Sequence, residues 1–511
     1  MQISPQPEVY RRVAAECWLT QHSSGIRKTL RACISAMLAL GICGCVTVAD
    51  QPEINPDKFS PASVHQQWTP APAVTSEYAL PPRSTAVKVA PSPANVQEYD
   101  LAALIDVALR NNPQTRAAWQ SSRVAAANYG ASRAPYYPLV SAESDNGYVR
   151  SMFELPGTMG NLKQWETDPV VSMTYTLLDF GRRRSSSEAA RNRLIAADFA
   201  FNRSLQSVVF NTQNAFYSLD AAQAAVIAAQ QNLDLAQTDF EAVSERVNLG
   251  LATAPELLLA KERVAQSRYD LANAHLLVHD AQAQLAVALG VPANAVIKVQ
   301  GLENQHVPES LNTQVDQLIA LARRERPDLA AQVANVQASD AEVEQAQAEF
   351  YPTIGLAAQY GENVWNFTFR TPRTVNNAIP QYSALMILKW DIFTGFKRLN
   401  DVRAAKANRE VARAQLDTLE IGTVADVWRA YFEFQSSRSK YDFADSLVAA
   451  SQESYDANLE TYRTGLSTIV ELLTAERDLA NARYTLIQSK AQLLTAYAAV
   501  AYAAGAVRMP K

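Results

Sequence analysis

Gly250-Leu251-Ala252-Thr253-Ala254-Pro255-Glu256-Leu257-Leu258 decides the fold, because the chain writes it twice. It returns as Gly465-Leu466-Ser467-Thr468-Ile469-Val470-Glu471-Leu472-Leu473, 215 residues on. Working outward, the same offset carries Arg268-Tyr269 to Arg483-Tyr484 and Gly290 to Gly505. Upstream, Leu104, Ala108, Asn112-Pro113 and Tyr136-Tyr137-Pro138 return one residue closer, as Leu318, Ala322, Arg326-Pro327 and Phe350-Tyr351-Pro352. One slipped residue over so long a span means two copies of a single structural unit. Two units are too few for a stacked solenoid. A pseudo-symmetric ring or tube is expected instead.

Each unit reads as short helix, helix, two strands, very long helix, turn, helix. Asn112-Pro113 supplies a cap and a first-turn proline for a helix that runs to about Arg133. From about Arg182 to Leu249 a heptad seam is written in full. Leu205, Thr212, Leu219, Val226, Leu233, Phe240 and Val247 occupy one position. Val208, Ala215, Ala222, Ala229, Ala236 and Val243 occupy the other. The second unit keeps the phase with Val427, Phe434, Tyr441, Val448, Tyr455 and Tyr462. The return helices alternate large and small in the same way, as in Leu271, Val278 and Leu285 against Ala274, Ala281 and Ala288. Such a 3–4 alternation is the signature of coiled-coil packing, and the small position lets helices approach closely. At ~1.5 Å per residue, about 65 residues of helix reach roughly 100 Å. Gly250 and Gly465 mark the hairpin tips, where the chain needs a left-handed residue.

Strands are expected at about Leu139–Val149, Val171–Leu178, Thr353–Gly361 and Leu385–Ile392. Most alternate apolar and polar residues, as in Met173, Tyr175 and Leu177 against Ser172, Thr174 and Thr176. Their lengths approach the ~9–11 residues of a tilted membrane-spanning strand. The polar stretches Ser151–Thr167 and Asn366–Gln381 read as links between them. Four strands cannot close a barrel, for which about eight is the practical minimum. Copies must therefore associate; two would give eight strands and three would give twelve.

The first hundred residues carry a different message. Arg27, Lys28 and Arg31 precede an apolar run ending in Ile42-Cys43-Gly44-Cys45. This resembles a bacterial lipoprotein signal over residues 1–44, with Cys45 as the lipidated residue. Val46 follows, not the aspartate that holds such proteins at the inner membrane, so the outer membrane is expected. All four cysteines lie in this region, so a chain beginning at Cys45 would carry no disulfide. Residues 45–98 are proline-rich and read as an extended tether. The units then occupy 99–300 and 301–511. Formal net charge is −5, and the positive n-region leaves the rest more negative still. That argues against a nucleic-acid partner.

At this point the residues carry a resemblance. The chain is similar to the TolC family of outer-membrane efflux proteins over roughly residues 99–507. The marks are the Asn112-Pro113 helix start, the Tyr137-Pro138 and Tyr351-Pro352 strand entries, the Asp179-Phe180-Gly181-Arg182 exit with Thr394-Gly395-Phe396-Lys397 as its counterpart, and the Gly-Leu tips with their Glu-Leu-Leu runs. The resemblance implies a mixed α and β membrane protein. Its long α-helices would form a periplasmic α-barrel, and four transmembrane strands per protomer would join a trimeric 12-stranded β-barrel. It implies a passive duct of a tripartite efflux system, working with a periplasmic adaptor and an inner-membrane pump or transporter. The tips Gly250, Leu251, Ala252, Thr253 and Gly465, Leu466, Ser467, Thr468 would meet the adaptor. Glu471 and Tyr462 match gate residues of the family, whereas Ser467 and Thr474 replace an arginine and a second acid. A ring of Glu471 carboxylates would repel itself and attract cations.

No phosphate loop, nucleophile elbow or zinc protease motif is present in the sequence. His275 and His279 stand one helical turn apart without an evident third ligand, so no metal and no cofactor is expected beyond the lipid on Cys45. The expectation is a non-enzymatic export duct in outer-membrane lipid. Two alternatives are a duct for type I protein secretion and a non-conducting coiled-coil scaffold or adaptor.

Overall fold

The computed structural model describes residues 99–155, 158–295, 297–299, 311, 314–368 and 374–507. Cys45, the signal and the tether lie outside them. The described elements run α1 (Leu101–Asn111), α2 (Pro113–Ser132), β1 (Leu139–Leu155), β2 (Thr158–Leu178), α3 (Arg182–Asn248) and α4 (Ala254–Leu289). The same order follows as α5 (Val315–Glu325), α6 (Pro327–Ala348), β3 (Thr353–Thr368), β4 (Thr374–Lys389), α7 (Lys397–Arg463) and α8 (Ile469–Ala503). A short 3₁₀ turn at Ala134–Tyr136 precedes β1.

Capping explains where the helices begin. Asp100 accepts the Ala103 N–H at 2.8 Å to open α1. The Asn112 side chain accepts the Gln114 N–H at 2.8 Å to open α2, with Pro113 in its first turn. Helices α3 and α7 each span 67 residues. No residue of the seams named above is exposed, and Thr212, Leu219 and Leu285 are fully covered. The heptad pattern thus becomes the packing surface. Near the tips the four long helices lie in the order α4, α3, α8, α7; towards the sheet, α2 and α6 take the places of α4 and α8. Among the described residues, α7 closes one side of this layer and α4 with α2 the other, with the short helix α5 lying against α7 and α1 against α3 and α4.

Each return helix ends on a glycine that touches backbone. A Cβ at Gly290 would stand 2.7 Å from Asn112 Cα, and one at Gly505 2.9 Å from Arg326 N. Both glycines are left-handed, at φ +71. Asn112 ties this junction by donating Nδ2–H to the Ala288 carbonyl at 2.8 Å. Arg326 answers differently, pairing with Asp328 at 2.7 Å and Asp426 at 3.3 Å.

The four strands form one antiparallel meander in the order β1-β2-β3-β4. Here the sequence reading needs correction. Ser151–Thr167 and Asn366–Gln381 are not links: β1 and β2 stay paired out to Leu155↔Thr158, and β3 and β4 to Thr368↔Thr374. Strand β4 stops at Lys389, short of Ile392. Backbone pairing needs no apolar side chains, so the ladder continues where alternation has ended. The β2–β3 pairing skips Asp168 and Pro169, which has no N–H to give, and resumes in the same register at Val170↔Gly361, where Gly361 packs against the Pro169 carbonyl; the register shifts between Thr176 and Leu178. Among the described residues, β1 and β4 pair on one side only.

The strand-to-helix junctions are clamped by two arginines that the sequence did not single out. Arg183 pairs with Asp179 at 2.9 Å and donates to the Thr176 carbonyl at 2.7 Å and the Pro135 carbonyl at 3.1 Å. Its counterpart Arg398 donates to the Glu349 carbonyl at 2.9 Å. Their position in the first turn after the Phe-Gly and Gly-Phe pairs was the available signal. Phe180 and Phe396 there take positive φ, an uncommon state for bulky residues.

Candidate gate at the hairpin tips

Both tips are built alike. The helix ends on a glycine in the left-handed region, Gly250 at φ +71 and Gly465 at φ +79. The next N–H turns back, Leu251 to the Arg246 carbonyl at 2.7 Å and Leu466 to the Thr461 carbonyl at 2.8 Å. These bonds satisfy carbonyls that the helix end would leave open. Leu251 and Leu466 are consequently thrust outward and exposed, together with Leu258 and Val470.

Glu471 is exposed and closes a capping box. Its carboxylate accepts the Thr468 N–H at 2.9 Å, and its own N–H donates to Thr468 Oγ1 at 3.4 Å. Within one chain the side chain therefore holds the start of α8. In the other tip, Thr253 Oγ1 donates to Glu256 at 3.2 Å. Ser467 Oγ accepts from Thr461 Oγ1 at 3.0 Å.

Tyr462 is placed differently. It is buried, and its hydroxyl finds no partner among the described residues. The Arg246 guanidinium lies 4.6 Å from its ring centroid and donates to its carbonyl at 2.7 Å. This joins α3 to α7 directly behind the turns. Burial pushes the Tyr462 hydroxyl upward from its ordinary value, and Arg246 pulls it back.

Roughly 15–20 Å from the tip glycines, at ~1.5 Å per residue, lies a buried polar layer that the sequence reading missed. Tyr455 donates its hydroxyl to Asp239 at 3.3 Å across α7 and α3. Arg263 pairs with Glu476 at 3.0 Å across α4 and α8. Glu476 is 1% exposed and its second oxygen has no partner among the described residues. Burial raises the pKa of Glu476, opposed by Arg263, and raises that of Asp239, opposed by Tyr455. Burial beside Asp239 and Glu476 also raises Tyr455. The only sequence signal was a charged or hydroxyl residue at or beside the seams.

His275 and His279 are exposed on α4, and no group of three metal-ligating side chains occurs among the described residues. The arrangement is one of helix ends coupled across the two hairpins.

The comparisons agree with this geometry. A family model described as outer membrane efflux protein matches residues 104–291 and 318–506. The chain belongs to the outer membrane efflux protein family. Members of this family are non-enzymatic channel proteins of the outer membrane, and that is the place of this chain. Protein CyaE of Bordetella pertussis is 29% identical over 424 residues, covering 81% of this chain and 86% of the relative. The probable efflux pump outer membrane protein TtgC of Pseudomonas putida is 26% identical over 462 residues, covering 86% and 89%. The probable outer membrane lipoprotein SilC of Salmonella typhimurium is 23% identical, covering 87% and 92%. Among solved structures, the outer-membrane channel OprN matches with a TM-score of 0.71 at 20% identity, covering 80% of this chain and 91% of that one. The efflux protein family thus supplies the fold, and the TolC resemblance is borne out.

Proposed function

We propose that three copies of this chain pool their strands and long helices into one hollow duct, which passively carries solutes outward from a periplasmic adaptor and an inner-membrane pump. The observation that carries this reading is the sheet. Its four strands are 16 to 21 residues long, yet β1 and β4 each leave an edge unpaired among the described residues. Bare edges of that length invite pairing, and closing several copies into a barrel removes them. Three copies would contribute twelve strands.

An aromatic collar supports placement in a bilayer. Tyr137, Phe180, Tyr351, Trp390, Phe393 and Phe396 are all exposed at the helix-facing end of the sheet. Tyrosine and tryptophan settle where lipid meets water. The printed name of TtgC supports efflux as the task, and that of SilC supports a lipid on Cys45. Residues 1–44 are then a signal, 45–98 a tether, and 99–300 and 301–511 the two units. Exposed Leu251 and Leu466 suit the tips Gly250–Thr253 and Gly465–Thr468 to an adaptor contact. A ring of Glu471 carboxylates narrows the closed end, and Tyr462 holds the hairpins together behind it.

Planar-bilayer recording tests this. Purified protein conducts with cation preference, and Glu471→Ala raises conductance. Glu471→Gln separates the roles, since Gln also completes a capping box: it weakens cation preference while leaving the turn intact. Silence from all three proteins would favour a non-conducting scaffold. Palmitate labelling is expected to vanish in Cys45→Ser.

A further inference from the structure

The two strand-to-helix junctions share a clamp but not a charge. Arg183 ties one and Arg398 the other, so the fold asks for one arginine at each. The first junction carries three more cations. Arg182 and Arg184 flank Arg183 in the first turn of α3, and Arg133 closes the end of α2. Arg133 belongs to the same patch, because Arg183 reaches the Pro135 carbonyl at 3.1 Å and lies 5.1 Å from the Tyr136 ring centroid. All three are exposed, and their side chains have no ion-pair or hydrogen-bond partner among the described residues. Asp179 is already taken by Arg183, at 2.9 Å.

The second unit shows what such a junction needs. It has Gln347, Lys397 and Leu399 in the places of Arg133, Arg182 and Arg184. Its Lys397 is paired with Asp401 at 2.7 Å. Over matched stretches, the first junction sets Arg133, Arg182, Arg183 and Arg184 against Asp179 alone, and the second sets Lys397 and Arg398 against Glu349, Asp391 and Asp401. The fold therefore does without the extra arginines. Like charges held so close repel one another unless an anion lies among them.

The aromatic collar gives their depth. Tyr137, Phe180 and Trp390 are exposed at this end of the sheet, and such rings mark the lipid boundary. Arg182 and Arg184 stand two and four residues past Phe180, which at ~1.5 Å per residue is about 3–6 Å beyond it. A headgroup layer is roughly 5–7 Å deep, so both fall inside it. We propose that Arg133, Arg182 and Arg184 form a binding surface for the phosphate groups of anionic phospholipid, in the leaflet on the helix side of the sheet. Guanidinium groups donate in a planar fork that fits phosphate oxygens. This rests on the reading that the collar lies in a bilayer, and it adds which lipid the junction selects.

Native mass spectrometry tests this on the full-length protein, released from vesicles of equal phosphatidylglycerol and phosphatidylethanolamine. The unaltered protein is expected to retain phosphatidylglycerol in preference. Arg133→Gln, Arg182→Gln and Arg184→Gln are each expected to weaken that preference by about fivefold, the size of one basic side chain at an anionic surface. Combined, they are expected to remove it. Lysine at the same three positions keeps the charge and most of the preference. Lys397→Gln, at the second junction, leaves it unchanged. Lipid retained without preference, a preference that survives the triple glutamine variant, or an equal loss in Lys397→Gln overturns the headgroup surface and leaves the duct standing. Protein that retains neither lipid overturns the bilayer reading as well.

Discussion

At the residue scale, the polar layer behind the tips decides how tightly the hairpins hold. Arg263 is the sole ion-pair partner of buried Glu476 among the described residues. Arg263→Ala is expected to cost about 3–5 kcal/mol locally, because it strands a buried carboxylate. Hydrogen exchange across α4 and α8 reads that cost, and a loss no larger than that of a surface substitution would contradict it. The pH dependence follows from sign. Burial raises both Asp239 and Glu476 in the folded state. A raised carboxyl contributes stability that is fully present below its unfolded value, about 4, and is lost as pH rises through the folded value. Hairpin protection, corrected for intrinsic exchange, is therefore expected to fall as pH rises above the ordinary carboxyl range. Asp239→Asn is expected to flatten that slope, and an unchanged slope would count against the burial effect.

At the element scale, glycines that share a backbone conformation do unequal work. Gly250 and Gly290 both stand at φ +71, but only Gly290 touches other atoms. Gly250→Ala is expected to cost about 1–2 kcal/mol, the left-handed penalty alone. Gly290→Ala adds a collision with the start of α2 and should cost more. Exchange measured at the two ends of α4 compares them, and equal costs would contradict the close approach. The long helices were legible in the sequence because their seams repeat every heptad, and burial follows Leu219, Ala222 and Leu233 as written. The glycine turns were legible because φ > 0 selects so few residues. Strand ends were not, because pairing beyond Gly361 and Val149 is carried by backbone, which leaves no mark in the side chains. The Tyr455–Asp239 and Arg263–Glu476 contacts were not either. Each joins residues more than 200 positions apart, and no local pattern predicts which helix faces meet.

At the scale of the whole molecule, a single chain is incomplete. Among the described residues, one chain ends in two bare strand edges and two helix faces that are largely exposed. The same rotation that relates its halves would satisfy all of them in further copies. The gate role proposed for Glu471 would arise only in that closed arrangement; in one chain Glu471 caps a helix. Electron microscopy of the purified protein in lipid nanodiscs tests this most directly. The expected particle holds three copies around a continuous hollow, with β1 of each paired to β4 of the next. A particle of one copy, with both sheet edges unpaired or covered by its own chain, would contradict it.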